Sequence, residues 1–237
     1  MLNRLARTIR TLVFPPLCAS CEKPLGPAAE VMCAGCLAAV RPIPAPHCAG
    51  CGKTLHSNFE RCADCQNLRF YFDRAYAAVV YDGVMKKLIA AYKFGGQRFL
   101  KHYLGALMAD FFVKHLPHED FDAVAAVPLH DSLESERGFN QSALLASYLA
   151  DKFKLKNVSL CLYSTEARRH QHHLDRHERA ANARGRFKAV SGPRLSDQNI
   201  LLIDDILTTG FTASECARAL KEAGARRVTV LALARGF

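Results

Sequence analysis

Tryptophan is absent from this chain and methionine occurs only 4 times. Acids are scarce too: 22 Asp and Glu stand against 32 Lys and Arg, a formal net charge of +10. That balance suits polyanionic partners such as nucleic acid or phosphorylated metabolites, and it says nothing about fold. No stretch approaches the roughly 18 uninterrupted apolar residues of a membrane helix, so stable membrane insertion is not expected. No glycine-bounded run ends in Gly-Lys-Ser or Gly-Lys-Thr, which excludes a Walker-type phosphate loop. The segment Leu2 to Phe14 sets Arg4, Arg7 and Arg10 among Leu5, Ile9, Leu12 and Val13, and Pro15-Pro16 stops it. Its apolar part is too short for a secretory signal. It reads as an amphipathic helix packed on the domain behind it, with contact to a membrane surface as the alternative. A cytoplasmic location is therefore expected. With 237 residues, half of them apolar, the chain has material for one large domain or for a medium domain and a small module.

Cysteine is plentiful by contrast. Eight of the 10 cysteines form Cys-x-x-Cys pairs: Cys18 and Cys21, Cys33 and Cys36, Cys48 and Cys51, Cys62 and Cys65. Two such pairs complete a tetrahedral shell of four thiolates, the donor set of structural zinc, so two zinc ions are expected. Disulfides compete, but nothing marks secretion and the pattern of a cytosolic chain favours metal. Sequential pairing gives two small ribbons; spacing alone also permits an interleaved arrangement. With eight thiolates available, His47 and His56 read as bystanders. A stretch so poor in large apolar side chains needs the metal to fold. Cys161 and Cys216 stand alone, and the spacing of Cys216 with Ala213, Ala219 and Leu220 makes it a small core residue.

The run from Asn199 to Thr212 carries the chemistry. Ile200 to Ile203 reads as a central parallel strand covered on both faces. Asp204 and Asp205 follow at its carboxyl end, where open α/β sheets bind ligands. Thr208, Thr209, Gly210 and Thr212 are the small residues that let a backbone wrap a phosphate, and the helix beginning near Thr212 points its positive end at the same spot. Carboxylates for sugar hydroxyls beside a loop for phosphate describe a sugar-phosphate site. The competing reading is a Thr-capped helix behind a strand with solvated terminal acids.

The composition changes near residue 70, which divides the chain into an N-terminal segment (1–16), a metal-binding module (17–70) and a main domain (71–237). In the main domain, Ala75 to Tyr81 reads as a strand, and Val84, Leu88, Ile89 and Tyr92 recur at helical spacing, with Lys86, Lys87 and Lys93 opposite. Gly95-Gly96 breaks that helix, and Phe99 to His115 makes another. Phe121 to Val127 is a second strand, Asn140 to Phe153 a third helix, and Val228 to Leu233 the last strand, with Gly224 closing the helix before it. Strands alternating with helices imply a doubly wound parallel α/β sheet. The turn Pro128-Leu129-His130 then sits at a strand end beside the acid loop. Arg137, ahead of Gly138 and Asn140, offers a cation at a helix start for pyrophosphate or another anion, or is part of a surface loop with Asn140 as N-cap. Arg168 to Lys188 is basic and histidine-rich with almost nothing apolar until Phe187. It reads as a mobile flap whose Arg168, Arg169, Arg176, Arg179, Arg184 and Arg186 meet pyrophosphate or nucleic-acid phosphates, or as a merely soluble loop. His170, His172, His173 and His177 are expected to be solvated or phosphate-facing.

The run Ile-Leu-Leu-Ile-Asp-Asp-x-x-Thr-Thr-Gly-x-Thr resembles the phosphoribosyl pyrophosphate (PRPP) loop of the type I phosphoribosyltransferases. The resemblance implies that Asp204 and Asp205 hold the ribose hydroxyls, that Thr208 to Thr212 cradle the 5-phosphate, and that Pro128, Leu129 and His130 lie in the pyrophosphate loop, with Mg2+ accompanying PRPP. The four cysteine pairs, the Pro-Leu-His turn, Glu136 to Gln141, the Gln171 to Phe187 segment and the PRPP loop together resemble the ComF family, phosphoribosyltransferase-like proteins with an N-terminal zinc module. The resemblance runs from about Leu12 onward, departing at His172, His173 and Phe211. It implies a role in natural transformation, with single-stranded DNA and proteins of DNA uptake or recombination as partners. An active phosphoribosyltransferase on an unidentified acceptor, unrelated to DNA uptake, is the alternative.

Overall fold

The computed structural model describes residues 16–26, 29–55, 59–116, 119–165 and 185–236. The expectations for Leu2 to Phe14, His56, Arg168, Arg169, Arg176, Arg179, Arg184 and the four histidines of the basic segment fall outside these residues.

Two short helices, α1 (Ala34–Ala38) and α2 (Ala63–Asn67), belong to the cysteine-rich module. The main domain runs β1 (Arg74–Val80), α3 (Gly83–Phe94), α4 (Leu100–His115), β2 (Ala123–Ala126), α5 (Asp131–Arg137), α6 (Gln141–Phe153), β3 (Lys156–Asn157), β4 (Leu162–Ser164), β5 (Phe187–Ala189), β6 (Asn199–Leu207), α7 (Phe211–Glu222) and β7 (Arg227–Arg235). Five strands form one sheet in the order β1-β7-β6-β2-β3, with every adjacent pair parallel. A small antiparallel ribbon, β4 with β5, stands apart and brackets the basic segment.

Alternation along the strands builds two cores. Leu201, Ile203, Leu231 and Leu233 face one side with Val124 and Ala126, where Leu88 and Tyr92 of α3, Leu104 and Met108 of α4 and Leu145 and Leu149 of α6 cover them. Ile200, Leu202, Val228 and Val230 face the other, beneath α7 and the β4–β5 ribbon. Each fully buried aliphatic side chain contributes about 1.5–3 kcal/mol of transfer free energy. The buried stripe of α7 is made of small residues (Ala213, Cys216, Ala217 and Ala219 with Leu220), which lets the helix approach the sheet closely. Cys216 is thus a core residue, as its spacing implies.

Strand β6 runs longer than its apolar core. Pairing with β7 continues through Asp204 to Leu207, so both acids stand within the strand, ahead of the loop. Helix α7 starts at Phe211, and its N-cap is Gly210 at φ +84 with no side-chain cap, which removes the Thr-cap reading of this loop. Gly224, at φ +111, follows the C-cap Ala223. The edge of β1 is covered: Val79 bridges Pro42, and Val80 and Ala75 donate to the carbonyls of Arg41 and Gly50. The metal module thereby hides an edge strand that would otherwise invite pairing with another chain.

Candidate ligand cleft and zinc ribbons

The cysteines pair sequentially. Cys18, Cys21, Cys33 and Cys36 converge in one cluster and Cys48, Cys51, Cys62 and Cys65 in a second, each with its four sulfurs within 4.8 Å of one another. The sulfurs of Cys21 and Cys33, and those of Cys51 and Cys62, are 3.7 Å apart. That is close to the ~3.8 Å edge of a tetrahedron of sulfurs bonded at ~2.3 Å to zinc. Backbone N–H groups of Cys33 and Cys62 donate to Cys18 and Cys48 Sγ at 3.5 and 3.3 Å. One thiol in each cluster is drawn toward the thiolate that zinc requires. Burial alone would raise Cys18, but backbone N–H groups outweigh it and hold its pKa at about 6. Cys51 is lowered to about 5, by the Cys65 side chain first and, against burial, by the charge of Arg235. All-thiolate shells leave no open position for water, so these are structural zinc sites.

At the carboxyl end of the sheet a cleft of about 240 Å3 opens. Every residue expected at the sugar-phosphate site lines it: Asp204, Asp205, Thr208, Thr209, Gly210 and Thr212 from the end of β6, and Pro128, Leu129, His130 and Arg137 from the segment after β2. Arg186 of the basic segment lines it as well. The convergence follows from topology, because β2 and β6 are parallel neighbours and their carboxyl ends open side by side.

Several contacts set the geometry. His130 is the N-cap of α5, its ring accepting from the Ser132 backbone N–H at 3.2 Å. Asn140 caps α6 by accepting from Ala143 N–H, and its amide donates to the Val127 carbonyl at 3.1 Å, which ties the α6 start to the β2 end. Arg137 closes α5, donating from Nη1 to Gln141 Oε1 at 3.3 Å. Arg137 thus ends a short helix of its own, whereas its sequence context placed it at a helix start or in a surface loop. The Ser and Glu residues of α5 carry no apolar period, and Leu133 is its one buried side chain.

The two acids differ. Asp205 pairs with Lys93 Nζ at 2.6 Å. Asp204 accepts from its neighbour's backbone N–H at 2.8 Å and from Ser142 Oγ at 3.3 Å. Burial first, then the charge of Asp205, pushes the Asp204 carboxyl up to about 7, against the pull of Lys93, the Asp205 amide and Ser142. The cleft therefore holds one carboxyl poised to lose its proton near neutrality when a cation or a hydrogen-bond donor arrives. Lys93 and Ser142 were not among the expected site residues. Lys93 lies at the end of a helix whose lysines otherwise face solvent, and only the tertiary approach of β6 distinguishes it. Ser142 follows the Asn-Gln pair directly, and its proximity to the site was the available signal.

The Thr208–Thr212 loop rests on the segment that follows the second zinc ribbon. A Cβ on Gly210 would meet Phe70 at 3.4 Å and Phe72 at 3.6 Å, and these two rings stack 4.8 Å apart. The Tyr71 N–H donates to Ser214 Oγ on α7 at 2.9 Å. On the basic side, Glu215 accepts from the Gly185 N–H and from Arg218 Nε, both at 2.9 Å, anchoring the end of the basic segment to the same helix.

Comparison with known proteins finds two kinds of domain in the chain. Residues 9–66 match the double zinc ribbon domain and residues 140–236 the phosphoribosyl transferase domain. Competence protein F of Haemophilus influenzae is 27% identical over 192 residues, covering 78% of this chain and 82% of that protein. Competence protein ComFC of Streptococcus pneumoniae is 29% identical over 159 residues, 67% of each chain. The chain belongs to the ComF family. DNA utilization protein YhgH of Escherichia coli K12 is 33% identical over 114 residues, and the alignment spans about half of that relative, 49%. The ComF fold is thus a phosphoribosyltransferase-type parallel sheet behind a double zinc ribbon. Among the described residues no helix is long and apolar enough to cross a membrane.

Proposed function

We propose that this ComF-family protein binds PRPP in the β2–β6 cleft and acts in natural transformation, handling single-stranded DNA in the cytoplasm. The observation that carries the reading is the convergence of the acid pair, the Thr-Gly turn, the Pro-Leu-His segment and Arg137 on one cleft of a size to hold a sugar phosphate. Asp204 and Asp205 would hold the ribose hydroxyls, the Thr208 to Thr212 backbone and hydroxyls the 5-phosphate, and residues 128–130 with Arg137 the pyrophosphate. The carboxylates and the Thr208 and Thr209 hydroxyls are the hard oxygen donors that suit Mg2+, which would neutralise pyrophosphate charge.

The DNA role is supported by charge and by kinship. The net charge is +10, the basic segment enters the cleft wall at Arg186, and the relatives are called competence and DNA utilization proteins. Replacing Arg168, Arg169, Arg176, Arg179 and Arg184 by alanine is expected to weaken single-stranded DNA binding about 10- to 100-fold near 0.1 M salt and to flatten its salt dependence. Unchanged affinity in that folded variant would remove the DNA assignment from the segment. Partner proteins of DNA uptake or recombination would meet the DNA-bound form.

The second reading is turnover on an unidentified acceptor in nucleotide metabolism. It draws on the same complete cleft. A nucleophile would attack the anomeric carbon while the bond to pyrophosphate breaks, with catalysis resting on positioning and on stabilising the departing charge. Pyrophosphate release from PRPP, dependent on an added acceptor and independent of DNA, would favour this reading.

A further inference from the structure

Recognition of a sugar phosphate leaves one part of the cleft mouth unused. Phe94 closes α3 with its ring 71% exposed, one residue from the Lys93 that pairs with Asp205. The Arg137 guanidinium lies over that ring, 4.9 Å from its centroid. The loop that follows is pinned: Arg98 donates to the Gly138 carbonyl and lies over the Phe139 ring at 4.8 Å, and Phe99 beyond it is also exposed. An exposed aromatic with an arginine over one face of its ring, at the edge of a basic protein's cleft, is a combination that can stack a base while holding a phosphate.

Gln141 marks the same wall as ligand-facing. Arg137 can only donate, so its contact with Gln141 assigns the accepting oxygen to Oε1 and leaves Nε2 as a donor. That Nε2 has no partner among the described residues, although the side chain is only 1% exposed and lines the cleft. A buried amide donor of this kind is costly until something accepts from it.

We propose that Phe94, Arg137 and Gln141 form a nucleotide subsite at the mouth of the cleft. A nucleobase stacks on Phe94, Gln141 Nε2 donates to an oxygen of the same nucleotide, and Arg137, proposed as a pyrophosphate ligand of PRPP, holds the adjoining phosphate when the nucleotide occupies the mouth. The proposal deepens the DNA-handling reading and rests on it, with single-stranded DNA as the source of the base and a free mononucleotide as the other carrier of the same chemistry.

The test compares the full-length zinc-loaded protein with Phe94→Ala and Phe94→Trp, titrated by fluorescence anisotropy with an oligothymidylate and with an abasic oligonucleotide of equal length. The wild type should prefer the base-bearing strand by about ten-fold. Phe94→Ala should erase that preference while keeping the abasic affinity, the salt slope and PRPP binding, and Phe94→Trp should restore it. A Phe94→Ala protein that retains the preference, or loses equal affinity for both strands, overturns the subsite. Failure of the DNA reading looks different: the wild type then binds neither strand. In that case thymidine monophosphate binding that Phe94→Ala abolishes sustains the subsite with a free nucleotide, and no binding overturns it.

Discussion

The two zinc ribbons are one design used twice, and their differences show what each is for. In both, the first cysteine's N–H donates to the carbonyl five residues on (Lys23, Lys53) at 2.8 Å, and a leucine N–H reaches back to a proline carbonyl (Leu25 to Pro16, Leu55 to Pro46) at 2.7 Å. In both, the residue after the second cysteine takes a left-handed conformation: Glu22 at φ +60, Gly52 at φ +69. The first ribbon tolerates Glu there because the side chain is exposed. The second requires Gly, since a Cβ would lie 2.5 Å from the Ala75 carbonyl oxygen of β1. The first ribbon lends Cys18, Leu25 and Met32 to the helical core. The second forms its own cluster, grips β1, and continues into Phe70 to Phe72 under the Thr208–Thr212 loop. It also receives a hydrogen bond from buried Arg235, Nη2 to Cys51 Sγ at 3.5 Å, a cation that offsets the charge of its thiolates. Identical metal chemistry thus serves two ends: one ribbon packs, the other supports the cleft.

Loss of the metal shells should separate the ribbons most clearly. Cys65→Ser is expected to lose one of two zinc ions and to weaken PRPP binding about ten-fold or more, as the support of the loop goes. Cys36→Ser should lose one ion too but leave PRPP affinity within about two-fold, because the side chains that approach Gly210 of the loop, Phe70 and Phe72, follow the second ribbon. Equal effects on PRPP, read by calorimetry beside elemental analysis, would break the distinction. Gly52→Ala comes next, with an expected cost of about 2–4 kcal/mol in denaturant unfolding, from steric overlap and left-handed strain together.

The acid pair gives a control that touches neither ribbon. Asp204 is raised from 3.8 to about 7, so it stays protonated where the unfolded chain has already ionised. Its favourable contribution is whole below pH 3.8 and is lost as pH rises through about 7. Asp204→Asn should therefore stabilise the ligand-free protein at pH 8 by on the order of 2 kcal/mol and flatten its stability profile between pH ~4 and ~7, with both zinc ions retained. A melting profile as steep as that of the wild type would contradict this. The smallest effect is expected at the exposed turn of the first ribbon, where Glu22→Gly should change stability by no more than about 0.5 kcal/mol, in the favourable direction.

Much of this was legible before any coordinates, for physical reasons that vary by element. The β6 run announces itself because the centre of a strand covered on both faces is apolar, although the strand itself continues through both acids to Leu207. The four cysteine pairs fix the donor set, but spacing alone left their connectivity open, since sequential and interleaved shells use the same pairs. Helix α5 was hidden because one buried leucine makes no period. Lys93 reads as part of a solvated lysine face until the fold sets Asp205 2.6 Å from its Nζ. Arg235 lies beyond the strand expected over Val228 to Leu233, and its partner, the Cys51 sulfur, stands 184 residues earlier. Side chains whose partners lie far off in sequence carry no local signature.

The central claim is that the cleft binds PRPP through its acid pair. Calorimetric titration of PRPP with Mg2+ into the zinc-loaded wild type and into an Asp204→Asn, Asp205→Asn double variant tests it most directly. The account predicts saturable binding by the wild type and at least about a hundred-fold loss in a double variant that melts as a folded protein. Equal binding by both proteins, or none by the folded wild type, would contradict it.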